Sequence, residues 1–294
     1  MNIQRSYKGE TGGALYLVPT PIGNLQDMTY RAVDILKTSD LIAAEDTRHT
    51  KKLCHAFEID TPLISYHEHN KRERETELVE KIKSGQIIAL VSDAGMPAIS
   101  DPGADLASRC IKENLSVIPL PGANAALCAL ITSGLSTEAF TFLGFLNRKK
   151  KEKDVILEQW KLTKSSLIIY EAPHRIKETL QSINDVLGDR NIALCRELTK
   201  QFETIMRGRT MEILEDIQQS GIKGECVLVI EGASEEEVSD ATEPQWWENL
   251  STKAHVDVYI DQGESSKDAI KKTAKDRGVK KRDVYQVYHV DEQQ

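Results

Sequence analysis

Along residues 14–123, apolar and polar positions alternate in blocks. Largely apolar segments at 14–18, 40–44, 86–91 and 116–120 have the length of buried strands. Between them, stretches near 28–38, 47–56, 70–84 and 103–113 carry helical spacing, the third with heavy charge on one face. Strands alternating with helices predict a parallel sheet of right-handed βαβ units. After an alanine-rich helix over 123–133 that ends at Gly134, the pattern changes. Strands are expected at 139–144, 166–170, 191–196, 202–207 and 225–231, with helices at 151–162, 174–187 and 210–219. Connections as short as that from 196 to 202 predict a mixed, partly antiparallel sheet.

The fold class read from this pattern is α/β: an N-terminal domain over 14–123 and a second α/β domain over 124–232. An acidic linker is expected over 233–250 (Glu235, Glu236, Glu237, Asp240, Glu243, Glu248), followed by a small helical extension over 251–294. In that extension residues 265–289 read as two short helices around Gly278. Residues 1–13 are polar and glycine-bearing and are expected to be mobile.

Three glycine- and proline-rich loops stand directly behind apolar runs: PTPIGNL (19–25), SDAGMPAISDPG (92–103) and PGANAA (121–126). In an open α/β sheet the carboxyl edge of the strands is where ligands bind. Three such loops predict one site lined by backbone and suited to a small polar cofactor. The sequence has neither GxGxxG nor GxxxxGK[ST], so ordinary dinucleotide and P-loop readings lose their main support. The 92–103 loop, with two carboxylates, two serines, two glycines and two prolines, favours function over simple helix capping by Asp93 or Asp101.

Composition narrows the class. With 40% hydrophobic and 29% charged residues the chain reads as soluble and globular. Its five cysteines are isolated, without a CxxC pair, which suits a reducing compartment, and no apolar run reaches membrane-spanning length. We therefore expect a cytoplasmic protein with no membrane partner. The net charge of −8 leaves nucleic-acid binding to local patches.

AAEDTRHT (43–50) brings Glu45, Asp46, Arg48 and His49 to the same sheet edge, and reads equally as an N-cap with a local ion pair or as a functional cluster. His67 and His69 would share a face of a strand. No further His/Cys cluster lies nearby, so a polar substrate loop running into Lys71, Arg72 and Arg74 is favoured over a metal. Arg148, Lys149, Lys150, Lys151 and Lys153 form a basic run, either a solvated helix start or a phosphate contact. YEAPHR (170–175) and CRELTKQFET (195–204) place Glu171, Arg175, Arg196 and Glu197 behind strands, where structural ion pairs are the default. In 265–289 eight basic residues face three acids, and an appendage or dimer contact is as good a reading as RNA contact.

VPTPIGNL, AAEDTRHT, VSDAGMPAISDPG, LPGANAA, YEAPHRI, RELTKQFET and GECVLVIEG, in this order, resemble the tetrapyrrole (class III) methylase superfamily, and within it the branch that acts on ribosomal RNA. The resemblance covers about Leu15 to Gly232. Met96, Asn124 and Ala172 depart from its usual Thr, Ser or Pro, and Ser. It implies a homodimer that binds S-adenosylmethionine between two domains and methylates a cytidine ribose 2′-hydroxyl in the decoding region of 16S rRNA, its partner being the small ribosomal subunit. Cofactor contacts are then expected from Pro21, Ile22, Gly23, Ser92, Asp93, Ala94, Gly95, Pro97, Ile99, Ser100, Asp101, Pro102, Gly122 and Ala123. Glu171, Arg196 and Gly224 would close over the cofactor from the second domain.

In-line transfer to a weak hydroxyl nucleophile asks for positioning and for a base. Asp101 is the first candidate and Glu45 and Asp46 are the alternatives, with His49 and Arg48 orienting ribose or phosphate. RNA contacts are expected from His67, His69, Lys71, Arg72, Arg74, the run 148–153, Arg175 and the C-terminal helices. A methylase of a small tetrapyrrole, a non-catalytic ribosome-assembly factor and a structural interaction protein remain as rival readings.

Overall fold

The computed structural model describes residues 3–4, 12–242 and 245–290. Of the N-terminal stretch expected to be mobile, 1–2 and 5–11 lie outside the described residues, as does Glu243 of the acidic segment.

The first sheet contains β1 (Ala14–Leu17), β2 (Leu41–Ala44), β3 (Leu63–Ser65), β4 (Ile87–Val91) and β5 (Ser116–Pro119), all parallel, in the order β3-β2-β4-β1-β5. Leu15, Ile42, Ile88 and Leu90 are almost wholly buried, and each such side chain contributes about 1.5–3 kcal/mol by leaving water. Helices α1 (Tyr30–Thr38) and α2 (Thr47–Ala56) pack on one face through Leu36 and Cys54. Helices α3 (Lys71–Lys83) and α4 (Ala104–Lys112) pack on the other through Leu78 and Leu106.

Strand order explains this division. The connection from β1 passes over β4 to reach β2, and the connection from β4 passes over β1 in the opposite direction to reach β5. The β1–β4 boundary is therefore the switch point of the sheet, where the loops behind two neighbouring strands part and leave a crevice.

After α5 (Ala125–Ser133), the second sheet contains β6 (Phe140–Phe145), β7 (Ser166–Glu171), β8 (Asn191–Arg196), β9 (Thr204–Arg209) and β10 (Cys226–Ile230), in the order β6-β7-β10-β8-β9. Only β6 and β7 are parallel. Helices α6 (Lys150–Gln159), α7 (Ile176–Leu187) and α8 (Thr210–Ser220) cover one face through Leu157, Leu180 and Leu214. Helix α5 covers the other through Ala129 and Leu130, capped at its start by Asn124, whose side chain accepts from Leu127 N at 3.0 Å.

Both sheets lie in one compact unit that runs to Ser234, and a second unit begins at Glu235. The second unit holds α9 (Glu235–Thr242), α10 (Thr252–Asp261), α11 (Ser266–Asp276) and α12 (Lys281–Val290) around Val256, Ile270 and Val284. The acidic segment read as a linker is thus helical over 235–242, and α10 joins the two helices expected there. No helix among the described residues is long and apolar enough to cross a membrane.

Candidate active site

The loops behind β1 and β4 are tied together. Thr20 and Gly95 exchange backbone hydrogen bonds of 2.9 and 3.0 Å, the Thr20 hydroxyl donates to Ser92 O at 3.1 Å, and the Ser92 hydroxyl donates back to Gly95 O. Four residues of the 92–103 loop have positive φ: Gly95 (81°), Ala98 (68°), Ser100 (63°) and Gly103 (136°). Left-handed alanine and serine are strained, and such strain persists where the surroundings fix the chain, commonly at a site. The loop behind β2 joins the pair, because Asp46 N donates to Asp93 Oδ1 at 3.1 Å.

Three carboxylates, Glu45, Asp93 and Asp101, meet at this edge and line a cleft of about 430 Å³, within the ~300–1,000 Å³ of small-molecule sites. Burial, reinforced by the charges of Asp101 and Asp93, pushes the Glu45 carboxyl up to about 7, against a hydrogen bond from the Asp93 backbone. Burial also pushes Asp101 up to about 6; a hydrogen bond with Ser92 opposes this and the charge of Asp93 adds to it. Carboxyl groups raised in this way, facing a cleft, mark a site able to accept protons near neutrality.

The opposite wall comes from the second sheet. Register pairs Glu171 at the end of β7 with Cys226 at the start of β10, and Cys226 with Arg196 at the end of β8. From this edge Phe145, Tyr170, Ala172, Cys226 and Val227 face the cleft. Phe142 and Phe145 both meet Tyr170 edge to face, with centroids 4.9 and 5.6 Å apart. The Tyr170 hydroxyl accepts from Ala126 N at 3.2 Å, which fixes α5 to the wall. Glu171 is buried within a polar chain: Arg175 Nε lies 3.1 Å from Oε1, the Thr179 hydroxyl donates to Oε2 at 2.5 Å, and Lys153 Nζ donates to Thr179 at 2.9 Å.

Not every expected residue reaches the cleft. Ile22, Asp93, Ala94, Gly95, Ile99, Ser100, Asp101 and Glu171 line it. Pro21, Gly23 and Ser92 line a neighbouring cleft instead. Pro97, Pro102, Gly122, Ala123, Arg196 and Gly224 line neither. A Cβ at Gly122 would stand 2.5 Å from Pro19 Cβ, so its role is to let two loops pack. Asp46 caps α2 and pairs with Arg48 through bonds of 2.8, 3.1 and 2.7 Å. The side-chain hydrogen bond from Arg48 holds the Asp46 carboxyl far below the usual carboxylate range, which makes it a poor base; the local reading of this pair prevails.

Several expected RNA contacts also stand differently. His67 and His69 lie in the turn after β3, not in a strand, with rings 5.9 Å apart. Arg175 points inward, its guanidinium donating to Leu146 O at 2.6 Å as well as meeting Glu171, so it holds the wall rather than facing solvent. Lys153 is fully buried and drops out of the basic run. Lys71 pairs with Glu68 and Asp105, Arg74 with Glu77, Lys149 with Glu152, and Lys150 with Asp154 and Asp185. Arg72, Arg148 and Lys151 are exposed.

The pattern missed Asn124, Ala125, Phe145, Tyr170, Ala172, Pro173, Glu225, Cys226 and Val227. The strand-end rule that located the first loops, applied to the second sheet, would have found Phe145 and Tyr170. Cys226 and Val227 enter from the amino end of an antiparallel strand, for which no strand-end signal exists. All three departures from the resembled pattern, Met96, Asn124 and Ala172, line the cleft.

Residues 14–214 match the family model of Tetrapyrrole (Corrin/Porphyrin) Methylases. The chain is 56% identical to Ribosomal RNA small subunit methyltransferase I of Bacillus subtilis (strain 168), over 98% of each chain. Among solved structures, a diphthine synthase superposes with a TM-score of 0.58 at 14% identity, covering 81% of this chain and 100% of its own. A uroporphyrin-III C-methyl transferase from Thermus thermophilus, complexed with S-adenyl homocysteine, gives 0.54 at 15% identity, covering 74% and 97%. These two likenesses concern the fold.

Proposed function

Because the chain belongs to the tetrapyrrole methylase family, and within it to the ribosomal RNA small subunit methyltransferase I family, we propose that it methylates the ribose 2′-hydroxyl of a cytidine in the decoding region of 16S rRNA. The observation that carries the reading is the convergence of Glu45, Asp93 and Asp101 on one cleft between the two sheets.

The cleft fits S-adenosylmethionine in size and charge. The carboxylates Glu45, Asp93 and Asp101 along its first-sheet edge suit a cationic ligand, while Phe145, Tyr170 and Val227 offer an apolar wall to a planar base. When bound, S-adenosylmethionine supplies a sulfonium-activated methyl group that leaves a neutral thioether behind. Asp101 accepts the proton of the attacking hydroxyl. A carboxyl near 6 is ionised at neutral pH yet more basic than an ordinary aspartate. Glu45, near 7, is the companion with which it titrates. The interlocked loops behind β1, β2 and β4 hold the carboxylates in place. A homodimer acting in the cytoplasm completes this reading, and light scattering on the purified protein checks the dimer.

The direct test incubates the protein with methyl-labelled S-adenosylmethionine and unmodified small ribosomal subunits, then maps the label. Label on a cytidine 2′-oxygen of the decoding region is expected. Label on a base, or none on RNA, would reject the acceptor assignment.

A further inference from the structure

A second cleft of about 510 Å³ adjoins the first, and the two share Ile22, Asp93, Ala94 and Glu225. Its chemistry differs. The carboxylates Glu45 and Asp101 belong to the first cleft alone, whereas the second carries His49 and Lys52 on one side and Lys200 on the other. His49, Lys52 and Leu53 stand at i, i+3 and i+4 on α2 and so share one helix face. Lys200 arrives from the second sheet, in a loop where Glu197 (φ 51°) and Thr199 (φ 66°) are left-handed. Its ammonium is held by Glu197 at 3.1 Å and Glu225 at 2.8 Å, and its stem lies where a Cβ on Gly23 would come within 2.2 Å of Lys200 Cγ. Lys52 and His49 therefore face, across Ile22, Leu53 and Ala94, a Lys200 whose charge is balanced by Glu197 and Glu225.

We infer that this second cleft receives the acceptor nucleotide, its phosphate held at the Lys52 rim and its ribose turned toward Asp93, where the two clefts join, with the ion-paired Lys200 forming the far rim. Three features match a single ribonucleotide extruded from its strand: an apolar floor for a base, a cationic rim for a phosphate, and an opening onto the proton-accepting carboxylates. A tetrapyrrole bears several carboxylates on a broad apolar disc, and it matches poorly a cleft whose cations sit only at opposite rims. The inference rests on the reading that RNA is the substrate, and it adds Lys52, Lys200 and Leu25 to the residues that decide it.

Two variants test it. Lys52→Glu reverses a rim charge on an exposed helix face. Leu25→Trp, at a half-exposed position, fills the cleft without altering any charge. With small subunits as substrate, each should raise KM about tenfold and leave kcat within about twofold, the signature of weakened ground-state binding. Calorimetric affinity for S-adenosylhomocysteine should stay at the wild-type value, because neither residue lines the first cleft. An unchanged KM in both variants overturns the inference, and so does a KM rise matched by an equal loss of S-adenosylhomocysteine affinity. A second measurement does not depend on turnover. Cytidine 5′-monophosphate titrated into the S-adenosylhomocysteine-bound protein should shift backbone amides at residues 22–25, 49–53 and 200. Shifts there without methyl transfer to subunits would reject the RNA assignment but keep the nucleotide site; no shifts there would reject the site.

Discussion

Glu45 and Asp101 illustrate how two ordinary carboxylates become proton acceptors: burial raises both, and the charge of Asp101 raises Glu45 further. Asp101→Asn, which keeps shape and burial, should lower methyl transfer roughly 10²–10⁴-fold, the usual worth of a positioned base. S-adenosylhomocysteine affinity should change only a few-fold, and a fall in turnover below tenfold would move the role to Glu45. The same shifts have a stability consequence of fixed sign. Both groups are raised in the folded state, from 3.8 to about 6 and from 4.5 to about 7. Their contribution is therefore complete below pH 4 and is lost as pH rises through about 6 to 7. Calorimetry should show the melting temperature of the ligand-free protein falling over that window, against the usual acid-side trend. The double variant Glu45→Gln, Asp101→Asn should remove this component; an unchanged pH profile in the variant would mean that the two groups are not buried together as described.

Among the elements, the 92–103 loop does most to build the site, and its four positive φ angles set its shape. Gly103 starts α4 at φ 136°, where a Cβ would stand 2.6 Å from Leu90 Cδ2 in the sheet core. Gly103→Ala should therefore cost at least ~1–2 kcal/mol in urea unfolding and weaken S-adenosylhomocysteine binding in parallel. Loss of stability alone would show that the start of α4 is not coupled to the cleft. This loop was legible in the sequence because a buried strand followed by glycine and proline has few structural alternatives. Other elements were not legible, for physical reasons. Strand β3 is three residues long and half-buried, too short for any period to show. Helix α9 is acidic throughout its first turn and reads as solvated chain. Lys153 sits among lysines that look alike in sequence, and only the packing of α6 on α7 selects it for burial beside Thr179. The far wall of the cleft depends on β10 entering between β7 and β8, a matter of sheet order that hydrophobic period does not encode.

For the molecule as a whole, a net charge of −8 has to be reconciled with a polyanionic substrate. Repulsion between like net charges is screened beyond about 8 Å at physiological salt, so binding is decided by patches. Many of the basic side chains are already engaged within the protein. Lys272 pairs with Glu264 and lies over the Tyr259 ring; Arg277 stacks on Trp247 and donates to His255 Nδ1 at 3.1 Å and to backbone carbonyls of Trp247 and Leu250. The stripe that remains outward on α11 is Lys267, Lys271 and Lys275, spaced by four and opposite the buried Ala269, Ile270, Thr273 and Ala274. Such a stripe matches the phosphates along one strand of RNA. Every phosphate that a lysine neutralises releases counterions and adds about 0.7–0.9 to the slope of log affinity against log salt. Reversing all three lysines to glutamate should therefore flatten that slope by roughly 2–3 for small-subunit RNA, while S-adenosylhomocysteine affinity stays at the wild-type value. A slope that stays put would assign the stripe to solvation of the helical unit and return the search for backbone-binding cations to Arg72, Arg148 and Lys151, which are exposed on the first unit.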